Sequence, residues 1–187
     1  MTTAKVRKYH FEPYGPFEIP MEDGSDIART QLNDFWTAIG SKYPGLPDAL
    51  GCYIFGVKLK STVLPWYVGK TEQKSFKFEA VQAHKLLIYH DSLKKQPGGV
   101  ALLYLIPRMT DGGRFRKVWS SGSSSVARLE QMLIESALAR NPDLQNRRMI
   151  KHLTLTVVPG YRNEPDGPRT PAAEDLAELL GIGDREA

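Results

Sequence analysis

An α/β fold, a small mixed sheet with helices packed on it, is predicted by three observations. Two short apolar and aromatic runs, residues 51–56 and 66–71, flank a polar turn at 58–61 and read as a β-hairpin. Residues 100–106, Val-Ala-Leu-Leu-Tyr-Leu-Ile, form an unbroken apolar run of the length and composition of a buried central strand. Stretches of helical periodicity lie on either side of both, giving the order α, β-hairpin, α, β, α, β, α.

Each element has its own justification. Residues 1–22 are rich in Pro, Tyr and Phe and read as an extended arm with an edge strand at 5–11. The spacing of Ile27, Gln31, Leu32, Phe35 and Ile39 predicts an amphipathic helix over 26–40, with Ser25 as N-cap and Gly40 as stop. Residues 44–50 connect it to the hairpin. Ser75 can cap a single long helix reaching residue 93, with Phe76, Ala80, Ala83 and Leu87 as its apolar face and Lys77, His84 and Ile88 along one edge. Pro97-Gly98-Gly99 separates that helix from the central strand, and Asp111-Gly112-Gly113 turns the chain after it. A serine-rich loop at 120–125 leads into a helix over 126–140, stopped at Asn141-Pro142. Residues 153–158 alternate as a further strand, 160–170 form a polar linker, and Thr170-Pro171 opens a last short helix over 172–180.

At 187 residues the chain has one domain's worth of core. The single cysteine, Cys52, cannot form an internal disulfide, which suits a reducing cytoplasm. No apolar run has membrane-spanning length, and the N-terminus opens no signal peptide. The formal charge is +4, but residues 77–117 hold eight Lys or Arg against three acids, a patch able to meet phosphates. Gly69-Lys70-Thr71 is not a P-loop, because the glycine needed five residues earlier is Leu64. His10, His84, His90 and His152 lack metal-ligand spacing, and one cysteine excludes a zinc knuckle. The rings of Tyr9, Phe11, Tyr14 and Phe17 on the arm could serve dimerisation.

Two features point to chemistry. The hairpin carries one tyrosine per strand, Tyr53 and Tyr67, each beside a glycine. On the 126–140 helix, Val126, Leu129, Leu133 and Ala137 share a stripe that contains Glu130. A core-facing carboxylate costs several kcal/mol unless it is paired or bound to a cation. It is therefore either paired with Arg128 or another basic side chain, or a hard oxygen ligand for Mg²⁺.

In Gly51-Cys52-Tyr53, Tyr67-Val68-Gly69-Lys70, Glu130-Gln131-Met132-Leu133-Ile134 and Asn146 the chain resembles the GIY-YIG nuclease superfamily over residues 49–146. The resemblance implies a small three-stranded antiparallel sheet flanked by helices, preceded by an arm and helix (1–48) and followed by a strand, linker and helix (147–187). It also implies a metal-dependent endonuclease that hydrolyses phosphodiesters in DNA; a catalytically weak or silent nucleic-acid-binding module is the alternative. Carried over, Tyr53 is the general base or water-orienting group, Tyr67 hydrogen-bonds the water or phosphate, and Glu130 holds Mg²⁺ or Mn²⁺. Asn146 binds the substrate backbone or braces the site. The arginine usual in the helix after the second motif is replaced, counting from Gly69, by Lys77; His84 is the matching histidine and Lys70 a further cation near the substrate. Lysine supplies the charge without the bidentate fork.

Overall fold

The structure is a computed structural model that describes residues 8–22, 26–118, 124–146, 157 and 170–180. Eleven elements follow in order among these residues: β1 (Tyr14–Glu18), β2 (Met21–Glu22), β3 (Asp26–Ile27), α1 (Leu32–Lys42), β4 (Gly51–Leu59), β5 (Thr62–Thr71), α2 (Phe76–Glu79), α3 (Ala83–Lys94), β6 (Val100–Pro107), α4 (Ser124–Arg140) and α5 (Pro171–Leu179). The sequence-predicted strand at 153–158 and the linker at 160–169 lie outside the described residues, apart from Val157.

The hairpin forms as expected. β4 and β5 pair from Gly51 opposite Thr71 to Leu59 opposite Thr62, and Lys60 takes the positive φ of 55° that the turn requires. Trp66 is the extra residue of a bulge, since Tyr67 opposes Phe55 while Pro65 opposes Gly56. β6 then lies against the other side of β4, Tyr53 opposite Leu105 and Phe55 opposite Leu103. Its apolar run is buried because it is central in the sheet, whose order is β1-β6-β4-β5.

Four strands rather than three make this sheet, and all of its pairings are antiparallel rather than mixed. The added strand is β1, supplied by the N-terminal arm at 14–18, C-terminal to the stretch predicted. Its Gly15 and Pro16 would spoil a central strand, but at an edge, with a shift in register between Tyr14 and Phe17, they are tolerated. The arm's rings are used within the chain: Tyr14 packs edge-on against Tyr43 and Phe115, and Phe17 against Tyr43.

Side-chain alternation divides the sheet into two buried faces. Tyr53, Phe55, Val57, Tyr67, Leu103 and Leu105 face α1, α2 and α3, whose Trp36, Ile39, Phe76, Leu86, Tyr89 and Leu93 complete the larger core. Leu50, Cys52 and Val68 face α4 and the turn after it, through Val126, Ile134, Ala137 and Leu144. The buried Cys52 thiol donates to the Val126 carbonyl at 3.5 Å, tying α4 to β4.

Two helices depart from the sequence reading. α1 begins at Leu32 rather than 26, because Asp26 and Ile27 pair with Met21 and Glu22 as a short ribbon. It runs past Gly40 to Lys42. The single helix predicted over 76–93 is two helices. The Tyr89 hydroxyl donates to the Ala80 carbonyl at 2.9 Å, an acceptor that a continuous helix would use for residue 84. α3 starts afresh, with Lys85 and Leu86 amides donating to the Gln82 carbonyl. The restart changes which side chains face the core: Leu86, Tyr89 and Leu93 are buried, while Leu87 and Phe78 lie out in solvent.

Candidate active site

The two motif glycines serve close approach. Gly51 lies against the β6 backbone, where an added Cβ would sit 2.2 Å from the Ile106 carbonyl oxygen. Gly69 opposes Tyr53 across the hairpin, and its missing side chain is where the phenol lies: an added Cβ would sit 2.4 Å from Tyr53 Cζ and 2.5 Å from its hydroxyl. Tyr53 is thereby fully buried, and its hydroxyl has no hydrogen-bond partner in the protein. Buried polar groups are satisfied in the great majority of cases, which makes this hydroxyl an exception.

Tyr67, 9 % exposed, lies with its ring centroid 6.3 Å from that of Tyr53. Burial, then the charges of Glu130 and Glu79, push its phenol up to about 12, with the neighbouring Tyr53 hydroxyl pulling slightly the other way although it completes no good hydrogen bond. Tyr53 is raised well above the ordinary range, mainly by burial. Both phenols are therefore protonated at neutral pH in the free protein and act as hydrogen-bonding groups.

The cation beside them is Lys85. Its ammonium donates to the Tyr67 hydroxyl and lies 4.4 Å from the centroid of the Tyr67 ring. Burial lowers its pKa, against the upward pull of Glu79 and Glu130. Lys77, which the motif count selects, is elsewhere: its ammonium pairs with Asp48 at 2.8 Å, on the far side of α2. His84 is exposed on α3 and is not brought to the phenols. The spacing Leu86, Tyr89, Leu93 is the sequence signal that could have placed Lys85 at the edge of the buried face.

Glu130 faces inward as its stripe requires, with its side chain 14 % exposed. Its partner is Lys70, not Arg128. Lys70 Nζ lies 3.5 Å from Glu130 and 3.4 Å from Glu72. The Glu130 carboxyl is nevertheless raised, because burial outweighs the attraction of Lys70 and Lys85. Its charge acts on Tyr67, Tyr53 and Lys85, although α4 packs on the opposite face of the sheet from the one the phenols line.

Among the described residues no three His, Cys, Asp or Glu side chains cluster to cage a metal. Mg²⁺ needs no such cage: it takes one or two carboxylates and completes its shell with water and phosphate. Glu130, with Glu72 across Lys70, fits that donor set, and its raised carboxyl is one that a cation would relieve.

Asn146 is a brace. Its amide closes a two-way pair with the backbone of Val68, accepting from the N–H at 2.9 Å and donating to the carbonyl at 2.7 Å. With the Gln145 amide on the Trp66 carbonyl and the Asn141 side chain on the Pro65 carbonyl, the turn after α4 occupies the outer edge of β5. Asn146→Ala should lower stability by about 2–3 kcal/mol, since two buried backbone groups lose their partners; chemical denaturation measures it, and a loss below 0.5 kcal/mol would remove the brace.

Comparison with protein-family models, with characterised proteins and with solved structures found no match. None of the described helices is long and apolar enough to cross a membrane.

Proposed function

We propose that this chain is a Mg²⁺-dependent endonuclease that hydrolyses phosphodiester bonds in DNA. What supports the reading is the pairing of Tyr53 and Tyr67 on the hairpin, with Lys85 on the Tyr67 hydroxyl, together with Glu130, whose charge acts on all three. In this reading Lys85 takes the place of the arginine that the resemblance leads one to expect. A phosphodiester is anionic and its transition state more so, which is what Lys85 and Lys70 answer. Tyr67 donates its hydroxyl proton to a phosphate oxygen or holds the attacking water, and the orphan Tyr53 hydroxyl below it takes a second hydrogen bond to that water. Glu130 would hold the metal, which supplies Lewis-acid stabilisation of the charged phosphate.

A second reading, a silent nucleic-acid-binding module, draws on Lys70, which already neutralises Glu130, and on two phenols held in their protonated form. Plasmid nicking in Mg²⁺ separates the two. Wild type should nick; Lys85→Met should be slower by roughly 100- to 1,000-fold, the scale of losing one preorganised donor to the transition state. If wild type shows no nicking above a Glu130→Ala background, yet binds DNA with steep salt dependence, the module reading replaces the enzyme.

A further inference from the structure

Across α2 from the phenols lies a groove of about 670 Å³ that the phosphodiester chemistry does not use, between α1, the connector at 44–48 and α2 itself. Resting on the proposal that this chain acts on DNA, we infer that the groove receives one unpaired base of the DNA strand, flipped out beside the site.

The lining matches a base and its phosphate. Phe78 is 63 % exposed, a ring with one open face at the groove's rim. The Lys77 ammonium lies 5.5 Å from that ring's centroid, so a stacking platform and a phosphate-binding cation come as one unit. The ion pair between Lys77 and Asp48 is largely solvated on both sides and of the kind that contributes little, so an incoming phosphate can displace it. Trp36 lines the opposite wall, and Asn33 and Asp48 add an amide and a carboxylate for base-edge groups. The volume falls within the range of small-ligand sites.

The groove also lies within reach of the phenols. Phe76, two residues before Phe78 on α2, is buried in the same core as Tyr53 and Tyr67, while Phe78 lines the groove. One four-residue helix therefore separates the two places, and a strand crossing it would put a phosphate at Lys85 and a base on Phe78. Lys77, displaced from the catalytic role that motif counting gives it, acquires a use here.

Fluorescence anisotropy in EDTA tests this without catalysis. Two probes are compared, a fully paired DNA duplex and the same duplex carrying one unpaired 2-aminopurine. Wild type should bind the second about tenfold more tightly, as expected for one added stacked base, and quench its fluorescence. Phe78→Ala, which touches no core residue, should bring the two affinities within about twofold, abolish the quenching and leave the paired duplex affinity unchanged. Equal binding of both probes by wild type, or an unchanged preference in Phe78→Ala, overturns the base site while leaving the nuclease reading intact. Binding of neither probe overturns both.

Discussion

Gly69→Ala should destabilise the protein by about 3 kcal/mol, a drop in Tm on the order of 10 °C for a chain of this size. Nothing about the glycine's backbone demands this; the reason is space. A methyl group at Gly69 would stand 2.4 Å from Tyr53 Cζ and 2.9 Å from Cε2, far inside contact distance. Tyr53 cannot retreat, because it is fully buried between β4 and the core built by α1, α2 and α3. Either the hairpin opens or the ring leaves its rotamer, and both costs are of the overpacking kind. A double-mutant cycle isolates the cause. In a Tyr53→Phe background the cost of Gly69→Ala should fall only in part, since Cζ remains in the way. In a Tyr53→Ala background it should fall below about 1 kcal/mol. Thermal unfolding of the six proteins measures both, and a cost equal in all backgrounds would mean that Gly69 serves something other than the phenol.

This steric pairing explains why the hairpin was legible in the sequence. Gly51, Tyr53, Tyr67 and Gly69 are local in spacing and are joined by a turn whose polarity is plain, so alternation alone brings them together. The inward stripe of α4 was legible for the same reason, since Val126, Glu130, Leu133 and Ala137 are a pattern internal to one helix. What could not be read depends on contacts between distant residues. No glycine or proline marks the break after Ala80; it is made by a hydroxyl nine residues away, on Tyr89. Missing that bond carries the phase of 76–80 on through α3, which puts His84 rather than Lys85 at the edge of the buried face. The fourth strand was hidden in a similar way. Tyr14-Gly15-Pro16-Phe17-Glu18 has no strand propensity to speak of and is extended only because β6 offers an open edge. The partner of Glu130 was open between Arg128 and other basic side chains. Only the register, which sets Lys70 opposite Cys52 on the face toward α4, decides for Lys70.

Glu130→Gln should abolish nicking, by at least about 100-fold if the carboxylate holds the metal, and yet leave the metal-free protein as stable as wild type or more so. The two expectations come from one physical fact. Burial raises the Glu130 carboxyl above its ordinary value in spite of Lys70 and Lys85, so the folded protein holds that proton more tightly than the unfolded chain does. The stability linked to it is therefore full below the ordinary carboxylate range and is given up as pH rises through the raised value. At neutral pH the ionised side chain is a net cost that glutamine does not incur. Nor does the substitution strand its partner, for Lys70 is one-third exposed and keeps Glu72 at 3.4 Å. The stability gain of Glu130→Gln over wild type, followed by thermal unfolding in EDTA, should grow as pH rises from about 4 to 7. A glutamate retained only to hold the fold would show the opposite, a loss of stability on becoming glutamine that deepens with pH. A residue that costs stability when ionised, acts by its charge on two buried phenols and an ammonium, and is required for cleavage would be one whose charge is kept for the substrate and its metal.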